Sequence, residues 1–302
     1  MIQILMSTYN GYEYIFEQLK SIENQTYKDI SIKIRDDGSK DKTIEEIEKF
    51  KDKLDITILC GENIKPARSF IELVRCADDA EYYAFCDQDD VWLPEKLEIA
   101  IKQISKYNQN EPILYFSDTT LVDKDLNKLS NVKKINKLKL NLGSALIENV
   151  ATGCTIVFNK ALREKLKKID DSDIEEGFLH DSLAYRVCFS IGKVIYDENS
   201  YILYRQHSKN VVGNSSSKKD KFFLRLKGLK KNMKMRLRSN MAKKILNIYS
   251  YDISIKNKKI IEKIAYSNKF INKIKIVFDF KIRRMSRTDD IMYRFAVMFL
   301  GI

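Results

Sequence analysis

Residues 82–104 read YYAFCDQDDVWLPEKLEIAIKQI and combine an apolar run, an acidic turn and a helical pattern. The run at 82–86 has the length and apolar character of a buried strand. Pro94 follows the turn, and proline is favoured where a helix begins. Apolar residues then recur at three- and four-residue spacings, as on the buried face of a helix: Leu97, Ile101 and Ile104. The stretch therefore predicts a strand, an acidic turn and a helix.

The same alternation extends in both directions from this stretch. Apolar runs predict earlier strands, separated by helix-period segments, at 2–6, 30–34 and 56–60. Further candidates follow at 113–116, 155–158, 194–196 and 201–204. Repeated β-α units predict an α/β fold in which helices flank a mainly parallel, mixed sheet, as in Rossmann-like nucleotide-binding domains. In such sheets ligands bind at the carboxyl ends of the strands.

Charge divides the chain into two regions. Its 302 residues carry 54 Lys and Arg against 42 Asp and Glu, a net charge of +12. Residues 1–217 hold 30 basic and 36 acidic residues, whereas 218–302 hold 24 and 6. The change falls at a linker-like Asn-Ser-Ser-Ser run. We therefore predict an α/β domain at 1–213 and a basic helical region at 218–302.

The basic region has the pattern of amphipathic helices. Apolar residues recur every three or four positions over 222–248 and again over 260–285, among many Lys and Arg. A basic polar face of this kind suits an anionic membrane surface. It is equally typical of helices that pack on a catalytic domain or on another copy of the chain, so a homo-oligomer stays open.

Composition excludes several classes of protein. With 44% hydrophobic residues and only three prolines, disorder and collagen-like repeats are poor fits. No run approaches the ~18 apolar residues of a spanning helix, and the N-terminus lacks the basic start of a signal peptide. The five cysteines lack C-x-x-C spacing, which disfavours a disulfide framework or a zinc site. We expect a chain that stays in a reducing cytosol.

Acidic residues follow two of the predicted strands. Asp36 and Asp37 come after the second strand, and Asp87, Asp89 and Asp90 come after the fourth. The carboxyl ends of parallel strands share one edge of a sheet, so these carboxylates converge. Such oxygens suit Mg²⁺ or Mn²⁺, which would in turn bind a diphosphate. The alternative is a solvated acidic turn, which a short D-x-D motif often is.

Residues 1–213 resemble the family-two glycosyltransferases, inverting enzymes with the type-A glycosyltransferase fold. The resemblance rests on four motifs in order. They are STYNG at 7–11, NQTY at 24–27, DDGS at 36–39 with Asp41 and Thr43, and DQDDVW at 87–92 with Pro94 and Lys96.

The resemblance implies roles on the donor side of the site. Thr8 and Tyr9 would line the nucleoside pocket, and Asp37 would hydrogen-bond the base. Arg68 would lie near the donor nucleotide. The resemblance also implies an Mn²⁺ or Mg²⁺ cofactor that neutralises charge on the departing nucleoside diphosphate. Its implied contacts are Asp89 as principal ligand, Asp87 as a second ligand or ribose contact, and His207 as a further ligand.

Inverting transfer also needs a general base near the acceptor hydroxyl. Family members carry it in an acidic pair before a helix, which points to Asp181 as the catalytic base. His180 here replaces the more usual Glu, and Asp181 could alternatively serve as a helix N-cap. Arg205 lies in an Arg-Gln-His run suited to diphosphate oxygens. Gly153 and His180 are assigned to the acceptor side.

The combined motifs most resemble bacterial rhamnosyltransferases that build capsular or cell-wall polysaccharide from dTDP-rhamnose. Transferases that use a UDP-hexose or a UDP-N-acetylhexosamine share nearly every motif and stay open as donor assignments. The resemblance implies an undecaprenyl-diphosphate-linked glycan acceptor. We accordingly expect a cytoplasmic enzyme, peripheral at the inner face of the cell membrane.

Three rival classes fit less well. A basic nucleic-acid-binding protein would explain the tail, but the tail has few aromatics placed for base stacking, so we expect no nucleic-acid partner. A nucleotidyltransferase would usually carry a glycine-rich phosphate loop after the first strand, and this sequence has none there. A catalytically silent scaffold of the same fold would differ only in lacking activity.

Overall fold

The computed structural model describes residues 1–131, 135, 137–174, 179–206 and 236–300, and these form two compact units. The first unit comprises Met1–Lys134, Ala151–Cys188 and Gly192–His207. The second comprises Ile135–Val150, Phe189–Ile191 and Ser208–Ile302. The segment 135–150, which the sequence placed within the α/β domain, thus belongs with the basic region. Residues 207–235, with His207 and the first part of the basic region, lie outside the described residues.

Nine strands among the described residues form one sheet in the first unit. In chain order they are β1 Ile2–Thr8, β2 Ile30–Asp36, β3 Asp55–Cys60, β4 Tyr82–Cys86, β5 Val91–Trp92, β6 Ile113–Val122, β7 Lys128–Asn131, β8 Val157–Asn159 and β9 Lys193–Arg205. The sheet order is β3-β2-β1-β4-β8-β6-β9-β5, with β7 paired to β6.

The first four strands are the parallel half of this sheet. β1 lies between β2 and β4, and β3 adds to the outer side of β2, all in parallel. Thr8 is opposite Asp36, and Met6 is opposite Cys86. The carboxyl ends of β1, β2 and β4 therefore meet at one edge, which confirms the expected convergence of the acidic strand ends.

The remaining strands make the other half mixed. β8 pairs antiparallel with both β4 and β6, and β6 pairs parallel with β9. The sequence suggested two short strands at 194–196 and 201–204, but the structure has one strand, β9. Its polar interior, residues 197–200, is accommodated by register shifts against β6 beside Asp118.

The α-helices are distributed between the two units. In chain order they are α1 Tyr12–Glu23, α2 Thr43–Glu48, α3 Lys65–Cys76, α4 Lys96–Ile104, α5 Leu142–Ile147, α6 Lys160–Leu166, α7 His180–Ile191, α8 Leu237–Ile248, α9 Ile255–Ala265, α10 Phe270–Phe278 and α11 Arg287–Leu300. Short 3-10 turns lie at Lys137–Lys139, Gly153–Thr155 and Asp171–Asp173. In the first unit, apolar faces of α1, α2 and α4 join strand residues in one buried core.

The second unit contains α5 and α8 to α11. The apolar pattern predicted over 260–285 is divided there between α9 and α10, with residues 266–269 between them. Ile261, Ile264, Ile276 and Ile282 are buried, whereas Ile271, Ile274 and Phe278 are exposed. Among the described residues, no helix is long and apolar enough to cross a membrane.

Candidate active site

The turn after β2 is organised around Asp36, which is fully buried. Its carboxylate accepts hydrogen bonds from the Thr8 hydroxyl at 2.8 Å and from the backbone N–H of Gly38 and Ser39 at 3.1 and 2.8 Å. The Ser39 hydroxyl adds a bond of 2.6 Å. Thr8, predicted to line the nucleoside pocket, is itself buried and ties the end of β1 to this turn.

The loop after β1 interlocks with the turn after β2. Asn10 adopts a left-handed conformation, φ 47°, and its side-chain oxygen accepts a bond from the backbone N–H of Lys40 at 2.8 Å. The N–H of Gly11 donates to the Thr43 hydroxyl at 2.8 Å. These bonds account for the polar residue types of both motifs. They leave Tyr9 45% exposed at the strand edge, where a flat ligand could contact its ring.

Asp37, the predicted base-binding residue, is buried and partnered. Arg35 donates to one carboxylate oxygen, and the backbone N–H of Ile64 donates to the other at 3.2 Å. Arg35 also pairs with Glu72 at 2.9 Å, which fixes the guanidinium. Asp37 is thereby held at the loop that leads into α3. Arg68, predicted near the donor nucleotide, is exposed on the first turn of that helix.

Gln88 connects the two halves of the predicted donor site. Its side-chain oxygen accepts the backbone N–H of Tyr9 at 2.9 Å, and its NH₂ group donates to the Tyr9 carbonyl at 3.1 Å. A Cβ added at Gly11 would lie 2.2 Å from that side-chain oxygen, so glycine is needed there for the approach. The acidic turn and the nucleoside-side loop therefore form one assembly.

Asp87 and Asp90, which belong to the acidic turn at 87–90, form a cluster with Cys154. One ligand atom from each lies within 4.8 Å of the others. Asp90 is fully buried, and Oδ1 accepts the backbone N–H of Arg205 at 3.0 Å, whereas Oδ2 has no hydrogen-bond partner among the described residues. Burial raises the pKa of the Cys154 thiol well above 9, so this residue is a neutral neighbour of the carboxylates.

Like charges crowd around Asp87. Burial, followed by the charges of Asp89 and Asp181, raises the pKa of Asp87 to about 8. Asp181, the predicted base on α7, therefore lies close enough to act electrostatically on the acidic turn after β4. The structure brings together carboxylates that are about 90 residues apart in the sequence.

These residues fit a divalent cation. Crowded carboxylates with an unpartnered buried oxygen supply the hard oxygen ligands that Mg²⁺ and Mn²⁺ prefer, whereas a protonated thiol is a poor ligand for either. Asp87 and Asp90 provide the compact part of the cluster. Asp89, predicted as principal ligand, is partly exposed next to it, and its assignment stays a prediction. The predicted ligand His207 lies outside the described residues.

Arg205 fixes the backbone of the acidic turn at 87–90. It is 1% exposed, and its Nε donates to the Asp89 carbonyl at 2.9 Å. The rest of the guanidinium contacts the Lys124 carbonyl and Glu17, and its carbon lies 4.8 Å from the centre of the Tyr14 ring. In the structure these groups are engaged with protein, so the predicted diphosphate contact stays a prediction.

His180 lies in an aromatic slot next to Asp181. Its ring stacks on Phe70 with centroids 3.7 Å apart and meets the edge of Phe85 at 4.7 Å. Neither ring nitrogen has a hydrogen-bond partner among the described residues, and burial lowers the pKa of His180 to about 3. The imidazole is therefore neutral at physiological pH.

Gly153 closes the other side of this slot. A Cβ at Gly153 would lie 2.8 Å from Nε2 of His180 and 3.5 Å from Cβ of Asp181. Gly153 and His180, both assigned to the acceptor side, are thus packed against the predicted base. Asp181 occupies the first turn of α7, and its Oδ1 accepts the N–H of Ser182 at 2.5 Å. The N-cap itself is Leu179, so Asp181 does not fill the capping position.

Several residues of the site escaped sequence reasoning. Gln88 lies in the DQDDVW motif and Cys154 follows Gly153, but neither was given a role, because their partners are remote in the chain. Phe70 and Phe85 read only as core residues. Lys96 is buried with its Nζ 3.5 Å from the centre of the Trp92 ring, and burial lowers its pKa to about 8. Its place in the acidic motif was the one signal that could have marked it.

Comparison with known proteins establishes the family. Residues 3–166 match the model of glycosyl transferase family 2, more than half of the chain. The chain is 32% identical over 237 residues to dTDP-rhamnosyl transferase RfbG of Shigella flexneri, covering 72% of this chain and 76% of that protein. The chain therefore belongs to glycosyl transferase family 2.

A second relative is UDP-Glc:alpha-D-GlcNAc-diphosphoundecaprenol beta-1,3-glucosyltransferase WfgD of Escherichia coli. It is 27% identical over 165 residues, covering 54% of this chain and 61% of that protein. Both relatives are named as transferases of sugars from nucleotide donors. The chain is accordingly a glycosyltransferase, and the sugar it transfers is a separate question.

Solved structures confirm the fold. S. aureus TarS 1–349 in complex with UDP-GlcNAc superposes with a TM-score of 0.58 at 14% identity, covering 98% of this chain and 90% of that one. Mannosyltransferase PcManGT from Pyrobaculum calidifontis, in complex with GDP-Man and Mn²⁺, gives 0.51 at 16% identity, covering 88% and 73%. At these identities the likeness shows the fold, which is the type-A glycosyltransferase fold that the motifs predicted.

Proposed function

We propose that the chain transfers L-rhamnose from dTDP-rhamnose, with inversion, to a lipid-linked glycan in surface polysaccharide synthesis. The observation that carries the proposal is the packing of Asp181 against Gly153, whose neighbour Cys154 belongs to the cluster with Asp87 and Asp90. The charge of Asp181 also contributes to the raised pKa of Asp87, after burial and the charge of Asp89. In a single inverting displacement the base and the departing diphosphate lie on opposite faces of one reacting carbon, so the groups that serve each must lie near the same donor sugar. The relationship to RfbG supports the choice of donor.

In this reaction the acceptor oxygen forms a bond to the anomeric carbon as the bond from that carbon to the diphosphate breaks. Asp181 accepts the proton of the acceptor hydroxyl. The neutral imidazole of His180 and the Gly153 backbone shape the acceptor side, because both pack against Asp181. The exposed ring of Tyr9 contacts the nucleoside, which Gln88 helps to position through the backbone of Tyr9. Asp37 accepts a hydrogen bond from the base, and Arg68 contacts the donor.

Asp87, with Asp90 or Asp89, would hold Mn²⁺ or Mg²⁺. When bound, the ion would neutralise charge on the departing nucleoside diphosphate. The clustered carboxylates support this assignment, as does the Mn²⁺ in the PcManGT complex. Arg205 positions the acidic turn through the Asp89 carbonyl, and we assign it to the diphosphate side because of the Arg-Gln-His run in which it lies.

The acceptor is proposed to be an undecaprenyl-diphosphate-linked glycan. WfgD, whose name specifies a diphosphoundecaprenol acceptor, supports this class. The enzyme would then work at the inner face of the cell membrane as a peripheral protein, with the basic region 218–302 next to anionic lipid. We propose a matching division of roles: residues 1–213 carry out the transfer, and residues 218–302 contact the membrane.

A UDP-sugar donor is the second candidate, favoured by the UDP-Glc in the name of WfgD and the UDP-GlcNAc bound to TarS. A thermal-shift panel of dTDP-rhamnose, UDP-Glc and UDP-GlcNAc, with and without Mn²⁺, separates the two. We expect the largest stabilisation from dTDP-rhamnose with metal. A larger shift with a UDP-sugar would replace the donor assignment, and no shift with any of the three would contradict a nucleotide-sugar site.

The base is tested separately. Asp181→Asn should lower the transfer rate by about 10²-fold or more while keeping the donor-induced thermal shift. Asp171→Asn is the matched control, since Asp171 lies on the surface and pairs with Arg75 at 2.8 Å. Unchanged transfer by Asp181→Asn would exclude it as the base.

A further inference from the structure

Two helices of the second unit carry exposed apolar stripes. Phe270, Ile274 and Phe278 lie four residues apart on α10, and Ile291, Phe295 and Phe299 lie four apart on α11. Such spacing places each set on one helix face. All six side chains are between 36% and 71% exposed. We call these six residues the phenylalanine surface.

Neither stripe is the core face of its helix. α10 buries Ile276, and α11 buries Tyr293, Ala296 and Val297 on other sides. The two helices also pack against each other, and the rings of Phe295 and Phe299 lie 4.8 Å apart. Within the described part of the chain, the phenylalanine surface is therefore additional to the packing of this unit. Exposed apolar residues that share one helix face, as in each stripe, are typical of a site of interaction.

Charge accompanies these stripes. Exposed Lys275 precedes Phe278 by three residues on α10, and exposed Arg287 precedes Ile291 by four on α11. Residues 266–300 hold eight Lys and Arg against three Asp. Two of the three Asp residues form ion pairs inside the second unit: Asp279 pairs with Lys263 at 2.7 Å, and Asp290 pairs with Arg294 at 2.9 Å. The exposed charge beside the aromatic rings is consequently positive.

This combination distinguishes between partners. Protein–protein interfaces are enriched in aromatic residues and arginine but depleted in lysine, so Lys275 is the residue that speaks against a protein partner. A bilayer interface instead accepts apolar rings at the acyl boundary and Lys or Arg at the anionic headgroups, on helices that lie in its plane. The charge pattern therefore favours an anionic lipid surface over a second copy of the chain.

We propose that the phenylalanine surface inserts into the interface of an anionic bilayer, with Lys275 and Arg287 at the headgroups. The inference rests on the membrane-linked acceptor of the proposed function and specifies how the enzyme would reach it. Attachment then depends on particular rings of α10 and α11, in addition to the overall positive charge of the tail.

Fluorescence can locate the inserted face, because the chain has a single tryptophan, Trp92, which is buried in the first unit. Phe278→Trp in the full chain should show a blue shift with phosphatidylglycerol vesicles and quenching by brominated lipid. Tyr251→Trp is the matched control, since Tyr251 is fully exposed in the same unit but lies outside both stripes. Equal responses at the two positions, or none at Phe278→Trp, would overturn the proposal.

Vesicle sedimentation of the full chain tests the energetics. Phe278→Ser with Phe295→Ser should lower binding to phosphatidylglycerol vesicles at least about tenfold, because two rings no longer leave water. Lys275→Gln and Arg287→Gln should each lower it about fivefold, whereas Tyr251→Ser should not. Unchanged binding by the double serine variant, or equal binding to neutral phosphatidylcholine, would overturn the proposal.

Two further measurements distinguish a dimer interface from a membrane surface, and effects on that surface from effects on the donor site. A wild-type dimer in solution that the double serine variant breaks, without vesicle binding by wild type, would assign the surface to a second copy. Donor-induced thermal shifts of the double serine variant should equal those of wild type. Loss of vesicle binding with intact donor shifts therefore bears on the surface alone, and absent donor shifts in wild type bear on the proposed function.

Discussion

The side-chain amide of Gln88 pairs with both backbone polar groups of Tyr9, at 2.9 and 3.1 Å. Gln88 stands between Asp87 and Asp89, so one side chain sets the spacing between the proposed nucleoside and metal contacts. The bare backbone of Gly11 makes room for this pairing.

Gln88→Ala should raise the donor KM by up to about 30-fold with a smaller effect on kcat, because the loss of two hydrogen bonds, each worth about 1 kcal/mol, frees Tyr9. Gln103→Ala is the matched control, since its side-chain oxygen accepts a hydrogen bond from the exposed Lys106. Gly11→Ala should reproduce the Gln88→Ala effect. Steady-state kinetics decide, and a donor KM unchanged by both variants would contradict the positioning role.

Gly153→Ala should lower transfer activity about tenfold or more, because the new methyl group would press on His180 and displace Asp181. Adding His180→Ala removes the obstructing ring, so the double variant should recover part of the lost stability, with a coupling of about 1–3 kcal/mol. Urea unfolding and kcat measure both effects. Gly192→Ala is the control, since its clash is with the Pro112 carbonyl, away from this slot. Strict additivity of the two substitutions would contradict direct contact.

Mn²⁺ affinity should fall as the pH drops below about 8. The pKa of Asp87, raised to about 8, keeps this carboxyl protonated below that pH, and a cation must displace the proton. The expected slope is about tenfold per pH unit between pH 6 and 8. Without metal, protonated Asp87 adds to the free energy of unfolding at low pH. This contribution is lost as the pH rises through about 8.

Calorimetric Mn²⁺ titrations at pH 6, 7 and 8 measure this slope. Asp87→Asn should bind weakly and with a flatter pH profile, whereas Asp171→Asn should match wild type. Affinity that stays constant across this range in the wild-type protein would exclude Asp87 from the cation site.

Arg205→Met should destabilise the fold on the order of 3 kcal/mol, because it leaves the Asp89 carbonyl and Glu17 without their buried partner. Arg75→Met, which removes a surface ion pair and bonds to the Ile169 carbonyl, should cost less. Urea unfolding with and without donor distinguishes two roles for Arg205. Full stability with weakened donor binding would assign it to the diphosphate in place of the acidic turn.

The parallel half of the sheet was predictable from sequence because its strands are short, apolar and separated by helix-period segments. Residues 82–86 form a strand with the predicted bounds, and Asp37 and Asp87 directly follow β2 and β4, whereas Asp36 is the last residue of β2. β9 was not predictable as one strand, since its polar interior at 197–200 reads as a turn. Pairing with β6 on one side and with β5 on the other keeps it extended.

Local motifs predicted where acidic residues would meet at the strand ends, as at 36–39 and 87–90, and the roles of these residues stay predictions. The site was not predictable where tertiary contacts decide. Gln88 looks like a spacer until Tyr9 is placed beside it, and Arg205 looks free until Glu17 and Lys124 surround it. The tail shows the same limit: its periodicity predicted helices, but not which apolar residues would remain exposed.

The sheet order also constrains synthesis on the ribosome. β8 separates β4 from β6, so β6 cannot join the first four strands until residues 157–159 have emerged. The hydrogen bond that Asp90 accepts from the backbone N–H of Arg205 can form only after Arg205, 115 residues further along the chain, has emerged. The donor-side strands can therefore assemble early, whereas the acidic turn acquires its fixed shape only near the end of translation of the sheet, and a chain interrupted before residue 205 would carry the motif without the site.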